Sequence, residues 1–259
     1  MTDTPAAAPY RFVDFLRDEW RFLTFRPTSA ALPQSWGRAV TYGLIVTWLA
    51  GIGRYWDHPD PALLQLVGLG SVIYVFVLAP ILAFFAVVIG ARNAEFPQTL
   101  LFVVMTSPPA LLYAIPVERF LSPDAAIGAN LWFLLVVALW RVALFARFLR
   151  CVGRLRWIWV IVTTLAPLCL IVNLLALLNL EQAVFEIMAG IAREPTARDA
   201  SYAVVIGLML ISWLLAPALL IALIIGGVHA SNGDRTVVPE SRETPDANEG
   251  DSDGASPAV

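Results

Sequence analysis

Six long apolar stretches constrain the fold of this chain more than any other feature. Each is near or above the roughly 20 residues that an α-helix needs to cross a hydrocarbon core about 30 Å thick. Hydrophobic residues make up 59% of the 259 residues and charged residues only 14%, which is unusual for a soluble protein. The sequence therefore predicts an all-α integral membrane bundle with six transmembrane helices, at residues 38–54, 63–91, 97–117, 128–149, 157–180 and 201–228.

The arginines predict the orientation, because short cytoplasmic loops carry an excess of positive charge. With the N-terminus inside, twelve of the 17 basic residues lie on the cytoplasmic side, four lie outside, and Arg141 lies within the fourth span. Six crossings return the C-terminus to the cytoplasm, so we expect an N-in/C-in protein of the inner membrane. The cytoplasmic set is Arg11, Arg17, Arg21, Arg26, Arg38, Arg92, Arg147, Arg150, Arg154, Arg156, Arg235 and Arg242, and the outer set is Arg54, Arg119, Arg193 and Arg198.

Tryptophans near the ends of the apolar stretches give the same orientation, because amphipathic rings prefer the headgroup layer. Three of them fall at inner ends, two at outer ends, and one within the N-terminal segment. The predicted interfacial anchors are Trp36, Trp157 and Trp159, then Trp56 and Trp132, and finally Trp20.

Residues 1–37 form a cytoplasmic segment that contains an amphipathic helix at 10–26, which Pro27 ends. Its helical periodicity separates a charged face from an apolar face. One hypothesis is that the helix lies on the cytoplasmic leaflet with its aromatic side chains in the acyl boundary. The alternative is that it packs under the transmembrane bundle. The charged face is Arg11, Asp14, Asp18 and Arg21, and the apolar face is Phe12, Leu16, Trp20 and Leu23.

The C-terminal tail, residues 229–259, is rich in acidic, Ser, Gly and Pro residues. It contains seven acids against two arginines, a net −5, whereas residues 1–228 carry +2 and the whole chain −3. Such a segment buries too little apolar area to offset the entropy of ordering, so we predict a disordered cytoplasmic tail.

Prolines interrupt four of the apolar stretches, where each removes a backbone hydrogen bond and favours a kink. Spans two, five and six share the triplet Leu-Ala-Pro, and in spans two and five this is consistent with an inverted repeat of two three-helix halves. Interrupted helices at corresponding positions are typical of transporter sites. The candidate positions are Pro80, Pro108, Pro109, Pro167 and Pro217.

Arg141 is the one ionised residue clearly away from a predicted helix end. An intramembrane charge is by default a candidate for function, through contact with an anion or an inter-helix pair. Because Arg141 falls in the cytoplasmic half of its span, its long side chain can instead extend towards the headgroups. The sequence leaves both readings open.

Catalytic and ligand-binding motifs are missing from the sequence, including zinc, nucleophile-elbow, phosphate-loop and C-x-x-C signatures. The chain has two cysteines and two histidines, and both histidines are predicted outside the hydrocarbon. We therefore predict no catalytic, cofactor or metal residues, and no nucleic-acid partner.

The stretch from Ser107 to Pro116, followed by Asn130–Leu135, resembles the bacterial branch of the Yip-domain membrane proteins. In that family a proline-bearing helix with Ile-Pro near its end precedes a helix that opens with Leu-Trp. The resemblance covers about 50 residues and implies a role in membrane organisation or partner recruitment.

These features favour a non-enzymatic scaffold, accessory or membrane-organising component, whose partners are the lipid bilayer and other membrane proteins or further copies of the chain. The first alternative is a transporter or channel for small solutes, built on the proline-containing helices. A membrane enzyme that acts on lipid is the third hypothesis.

Overall fold

The computed structural model describes residues 11–29, 35–53, 67–188 and 197–232, and this part of the chain is helical with no β-strand. Two short 3₁₀ segments, Pro108–Ala114 and Val117–Arg119, lie between the fourth and fifth α-helices. The α-helices are α1 (Phe12–Leu23), α2 (Trp36–Gly53), α3 (Leu69–Val88), α4 (Phe96–Met105), α5 (Pro123–Cys151), α6 (Trp157–Met188) and α7 (Ala197–Ser231).

Four helices are long and apolar enough to cross a membrane. They fall in the second, fourth, fifth and sixth predicted spans, which confirms a helical membrane bundle. Helices α5, α6 and α7 extend beyond the predicted spans. The qualifying segments are Leu69–Val88, Gly128–Cys151, Trp157–Leu177 and Gly207–Ser231.

The third predicted span is not one α-helix. Helix α4 ends at Met105, and the chain continues as the 3₁₀ segment that begins at Pro108. Pro108 and Pro109 have no N–H to donate to the preceding turn, and their rings crowd the carbonyl groups there. Pro80, Pro167 and Pro217 instead lie inside continuous helices.

Helix α2 packs alongside α4 and the first 3₁₀ segment. It runs in the same direction as these two consecutive elements. Trp36 at the start of α2 donates its indole Nε1–H to the Pro97 carbonyl at 3.0 Å. Further along, a Cβ added at Gly43 would lie 2.5 Å from the Val104 Cβ. A Cβ added at Gly53, the last residue of α2, would lie 2.2 Å from the Ala114 Cβ. Small residues thus let two backbones approach closely, as in many membrane helix pairs.

Helix α1 packs against this core with a stripe at helical spacing. Its buried residues are Phe15, Asp18, Glu19 and Leu23. Phe15 stacks edge-on against Tyr42 of α2 with ring centroids 5.2 Å apart. Asp18, which the sequence placed on the charged face, is therefore turned towards the bundle.

The apolar face that the sequence predicted for α1 is mostly outward. Phe12, Leu16 and Trp20 are exposed, as is Val13 beside them. Helix α1 thus packs against the bundle with one side and presents apolar side chains outward on another.

Helix α7 continues through Ser231, so the first residues of the predicted tail are helical. The rest of the tail from residue 233, the position of Trp56 and residues 1–10 lie outside the described residues.

Candidate functional site

Arg141 lies on α5 beside the break in the third apolar segment. Its Nε–H donates to the carbonyl oxygen of Thr106 at 3.2 Å, and the side chain is partly buried. Thr106 is the C-cap of α4, where backbone carbonyls lose their helical partners. A cation also interacts favourably with the negative end of the helix dipole. Arg141 therefore caps an interrupted helix from a neighbouring one.

Hydroxyl groups complete the polar contacts at the break. Thr106 Oγ1 donates to the Val103 carbonyl at 2.7 Å. Thr47 of α2 and Ser107 share a hydrogen bond of 2.6 Å between their hydroxyl oxygens, and both are buried. These contacts join α2, α4 and α5 at one level of the bundle, which we call the helix-break site (Thr47, Thr106, Ser107 and Arg141).

The residue before Arg141 makes a second contact of the same kind. The indole Nε1–H of Trp140 donates to the carbonyl oxygen of Leu23 at 2.9 Å. Leu23 is the last residue of α1, so two consecutive side chains of α5 each bind the C-terminal end of another helix.

Asp18 and Glu19 form the buried acidic part of the α1 contact, with exposures of only 2% and 4%. The backbone N–H of Ser29 donates to Asp18 Oδ1 at 3.1 Å, and the Ser29 hydroxyl donates to Oδ2. Arg21 Nη1 lies 3.6 Å from Asp18 Oδ1. The carboxylate of Asp18 thus holds the chain segment that follows α1.

Glu19 is paired less completely than Asp18. Burial removes water from its carboxyl group and raises its pKa to about 7, while a hydrogen bond with Tyr42 acts in the opposite direction. Its Oε1 is buried without a hydrogen-bond partner. An uncharged carboxylic acid suits this position better than a carboxylate, since desolvation disfavours the charged form.

A separate polar contact joins α6 and α7. Asn173 donates through Nδ2 to the Cys169 carbonyl at 2.8 Å and to Ser212 Oγ at 3.0 Å. Ser212 also donates to the Cys169 carbonyl, at 3.2 Å. Cys169 follows the buried Pro167 within α6, so these side chains strengthen an inter-helix contact near a proline.

The predicted proline and tryptophan positions have different environments. Pro108 and Pro109 adjoin the helix-break site, Pro167 is buried, and Pro80 and Pro217 are exposed on their helices. Trp20, Trp132 and Trp157 are largely exposed, whereas Trp159 packs against the core. The described tryptophan anchors therefore differ in how far they are exposed.

Sequence reasoning missed Trp140, the buried acids of α1 and the partner of Arg141. Pro108 and Pro109 were among the predicted interruptions, but no local pattern identifies the side chain that covers the break. Among the described residues, no group of three or more His, Cys, Asp or Glu side chains could hold a metal ion.

The chain matches no protein-family model, no curated protein and no solved structure.

Proposed function

We propose that this protein is a non-enzymatic scaffold or accessory component of the cytoplasmic membrane. The observation that carries the proposal is the bond between Arg141 and the Thr106 carbonyl. An intramembrane arginine is the strongest candidate for solute contact, and here its Nε is engaged by the backbone of the protein itself. A structural role for this charge favours an assembly component over a transporter.

The exposed apolar side of α1 supports the same proposal, because it offers a contact surface beside the bundle. Phe12, Val13, Leu16 and Trp20 stand on it, and charged side chains flank it. Such a helix is suited to the headgroup and acyl boundary of the leaflet or to a neighbouring membrane protein. The implied role of the Yip-domain resemblance, membrane organisation, is of the same kind and remains a prediction.

Six crossings with both termini inside are part of the proposal. Helix α2 has 18 residues and is about 27 Å long at about 1.5 Å per residue. Helix α4 has 10 residues and the first 3₁₀ segment has seven. These contribute about 15 Å and about 14 Å, since a 3₁₀ helix rises about 2.0 Å per residue. The length of α2, and the combined length of α4 and the first 3₁₀ segment, both approach the roughly 30 Å of the hydrocarbon core.

A topology map tests the crossings. Reporter fusions in the loop at residues 119–127 should give an extracytoplasmic signal, and fusions after residue 232 a cytoplasmic one. A cytoplasmic signal from the 119–127 loop would overturn the orientation.

Native mass spectrometry of the full-length protein in mild detergent tests the scaffold role. We expect a stoichiometric complex with another membrane protein or a second copy, weakened by Trp20→Ala. The matched control is Trp132→Ala, because both indoles are 65% exposed. A protein that stays monomeric and moves a solute across vesicles by itself would refute the scaffold role.

The second candidate is a transporter of small solutes, which the break in the third predicted span favours. Discontinuous helices place free backbone groups where solutes bind, and the helix-break site adjoins such a break. In this case Arg141→Met should abolish flux by purified protein in vesicles, whereas Arg147→Met on the same helix should not. Equal flux by both variants would exclude the helix-break site as the solute site.

A further inference from the structure

We propose that the protein binds one anionic phospholipid at the end of the bundle where α3 and α7 meet the loop between α5 and α6. One acyl chain would lie in an apolar groove between α3 and α7, and the phosphate would lie at an arginine rim. The proposal rests on the membrane placement of these helices and is independent of the scaffold role.

The groove has a volume of about 570 Å³, within the range of about 300–1,000 Å³ that is usual for ligand sites. Its lining is apolar apart from Ser231, whose hydroxyl already donates to the Val228 carbonyl at 2.9 Å. Both walls belong to helices long and apolar enough to cross a membrane. The lining includes Phe84, Val88, Leu220, Ile224, Gly227 and Val228.

Close contacts fix the inner wall of the groove. A Cβ added at Gly226 would lie 2.5 Å from Ile89 and 2.8 Å from the ring of Trp159. Gly227 has more room, since its added Cβ would meet the Val88 carbonyl at 3.5 Å. Helices α3, α6 and α7 therefore converge here, and the groove lies on their outer side.

The arginine rim consists of Arg92, Arg154 and Arg156, which two touching loops bring to this end. The backbone N–H of Arg92 donates to the Gly153 carbonyl at 3.1 Å. Arg92 and Arg156 are exposed, and Arg154 is half-buried. Glu95, in the same loop as Arg92, is the acidic residue nearest to it in sequence. Three arginines at the same end of the bundle as an apolar groove match a phosphate diester attached to an acyl chain.

Aromatic side chains border the rim on the α6 side. The indole of Trp157 is exposed, and the Arg150 guanidinium lies 5.6 Å from the centre of its ring. Trp159 lies beside His229 of α7, with ring centroids 6.3 Å apart. Such rings are typical of the headgroup depth of a bilayer, which is where the phosphate of a lipid in this groove would lie.

The experiment is native mass spectrometry of the full-length protein in mild detergent, titrated with phosphatidylglycerol. Phosphatidylcholine with the same acyl chains is the second probe, and inorganic phosphate is the third. We expect one phosphatidylglycerol per protomer, retained in preference to phosphatidylcholine. Inorganic phosphate should not replace it, because it gains nothing from the groove.

Two sets of variants separate the rim from the groove. Arg156→Gln should weaken binding of phosphatidylglycerol about fivefold, and Arg92→Gln combined with it about 25-fold. Arg119→Gln, in the second 3₁₀ segment, is the charge control. Gly227→Phe should fill the groove and abolish retention, whereas Gly207→Phe should not, because nothing lies within 4 Å of a Cβ there.

Val228→Phe is a second groove-filling variant in case Gly227→Phe does not fold. Equal retention of the two lipids, or retention unaffected by both groove variants, would overturn the proposal. The proposal would also be overturned if phosphatidylglycerol bound only after the seven acids of the tail are changed to amides. The tail would then be the occupant of the rim.

Discussion

The indole Nε1 of Trp140 and the carbonyl oxygen of Leu23 form a hydrogen bond of 2.9 Å that joins α1 to a membrane-spanning helix. Arg141, the next residue, makes the corresponding bond to the end of α4. Helix α5 therefore stabilises two helix C-termini with adjacent side chains. This relationship makes α1 part of the folded bundle.

Trp140→Phe tests the α1 contact, because it removes the indole N–H and keeps an aromatic ring. We expect a loss of about 1 kcal/mol in stability and faster hydrogen exchange in residues 12–23. Trp132→Phe is the control, since that indole is exposed. Exchange in α1 that is equal in both variants would show that the Leu23 bond does not hold the helix.

Arg141→Met should destabilise the protein by about 1–3 kcal/mol, since the Thr106 carbonyl is left without its donor. Arg141→Lys should recover only part of this loss, because a lysine lacks the planar guanidinium geometry. Denaturant unfolding in detergent micelles measures both effects. If Arg147→Met on the same helix destabilises the protein as much, the loss of stability comes from removing a positive charge and not from removing the bond to Thr106.

Glu19→Gln should change how stability depends on pH. Its folded-state pKa of about 7 lies above the ordinary value of 4.5 because of burial, so the folded state binds the proton more tightly than the unfolded state. Stability therefore falls as pH rises from about 4.5 to about 7, and the penalty is complete above that range.

The Glu19→Gln variant should lose this slope and melt at a higher temperature than the wild type at pH 8. Thermal unfolding at several pH values is the measurement, and Glu95→Gln at an exposed position is the control. The raised pKa of Glu19 would be contradicted if the melting temperature of the wild type rose between pH 5 and 7 and that of Glu19→Gln did not.

Gly43→Ala should weaken the packing of α2 on α4. The added Cβ would lie 2.5 Å from the Cβ of Val104 and 2.7 Å from its carbonyl oxygen, and backbone atoms cannot rotate away. We expect a loss of about 1–3 kcal/mol, measured by unfolding. Gly37→Ala in the same helix has nothing within 4 Å and should leave stability unchanged or raise it.

The all-helical membrane fold could be predicted from the sequence because the length and polarity of each apolar stretch are local properties. The sequence also placed Pro108 and Pro109 among its candidate interruptions, since proline acts on its own turn of helix, but Pro80, Pro167 and Pro217 lie inside continuous helices. The third span was expected to be one helix. Its division into α4 and a 3₁₀ segment depends on the neighbouring contacts of α2 and α5.

Helical periodicity divided α1 into a charged face and an apolar face but did not assign either to the bundle. The sequence placed Asp18 on the charged face and Leu16 and Trp20 on the apolar face, and it left open whether the helix lies on the leaflet or packs under the bundle. In the structure Asp18 and Glu19 are buried, because Ser29 and Tyr42 supply polar partners. A periodic pattern shows which residues share a face, but it does not identify which partner covers that face.

The sequence alone determined that this chain is helical and that it belongs in a membrane. Each follows from the polarity and backbone chemistry of neighbouring residues. Only the tertiary structure decided that Arg141 caps α4, that Trp140 holds α1, and that two loops bring Arg92 and Arg154 together. Those contacts join residues far apart in the chain, and their formation depends on how whole helices pack.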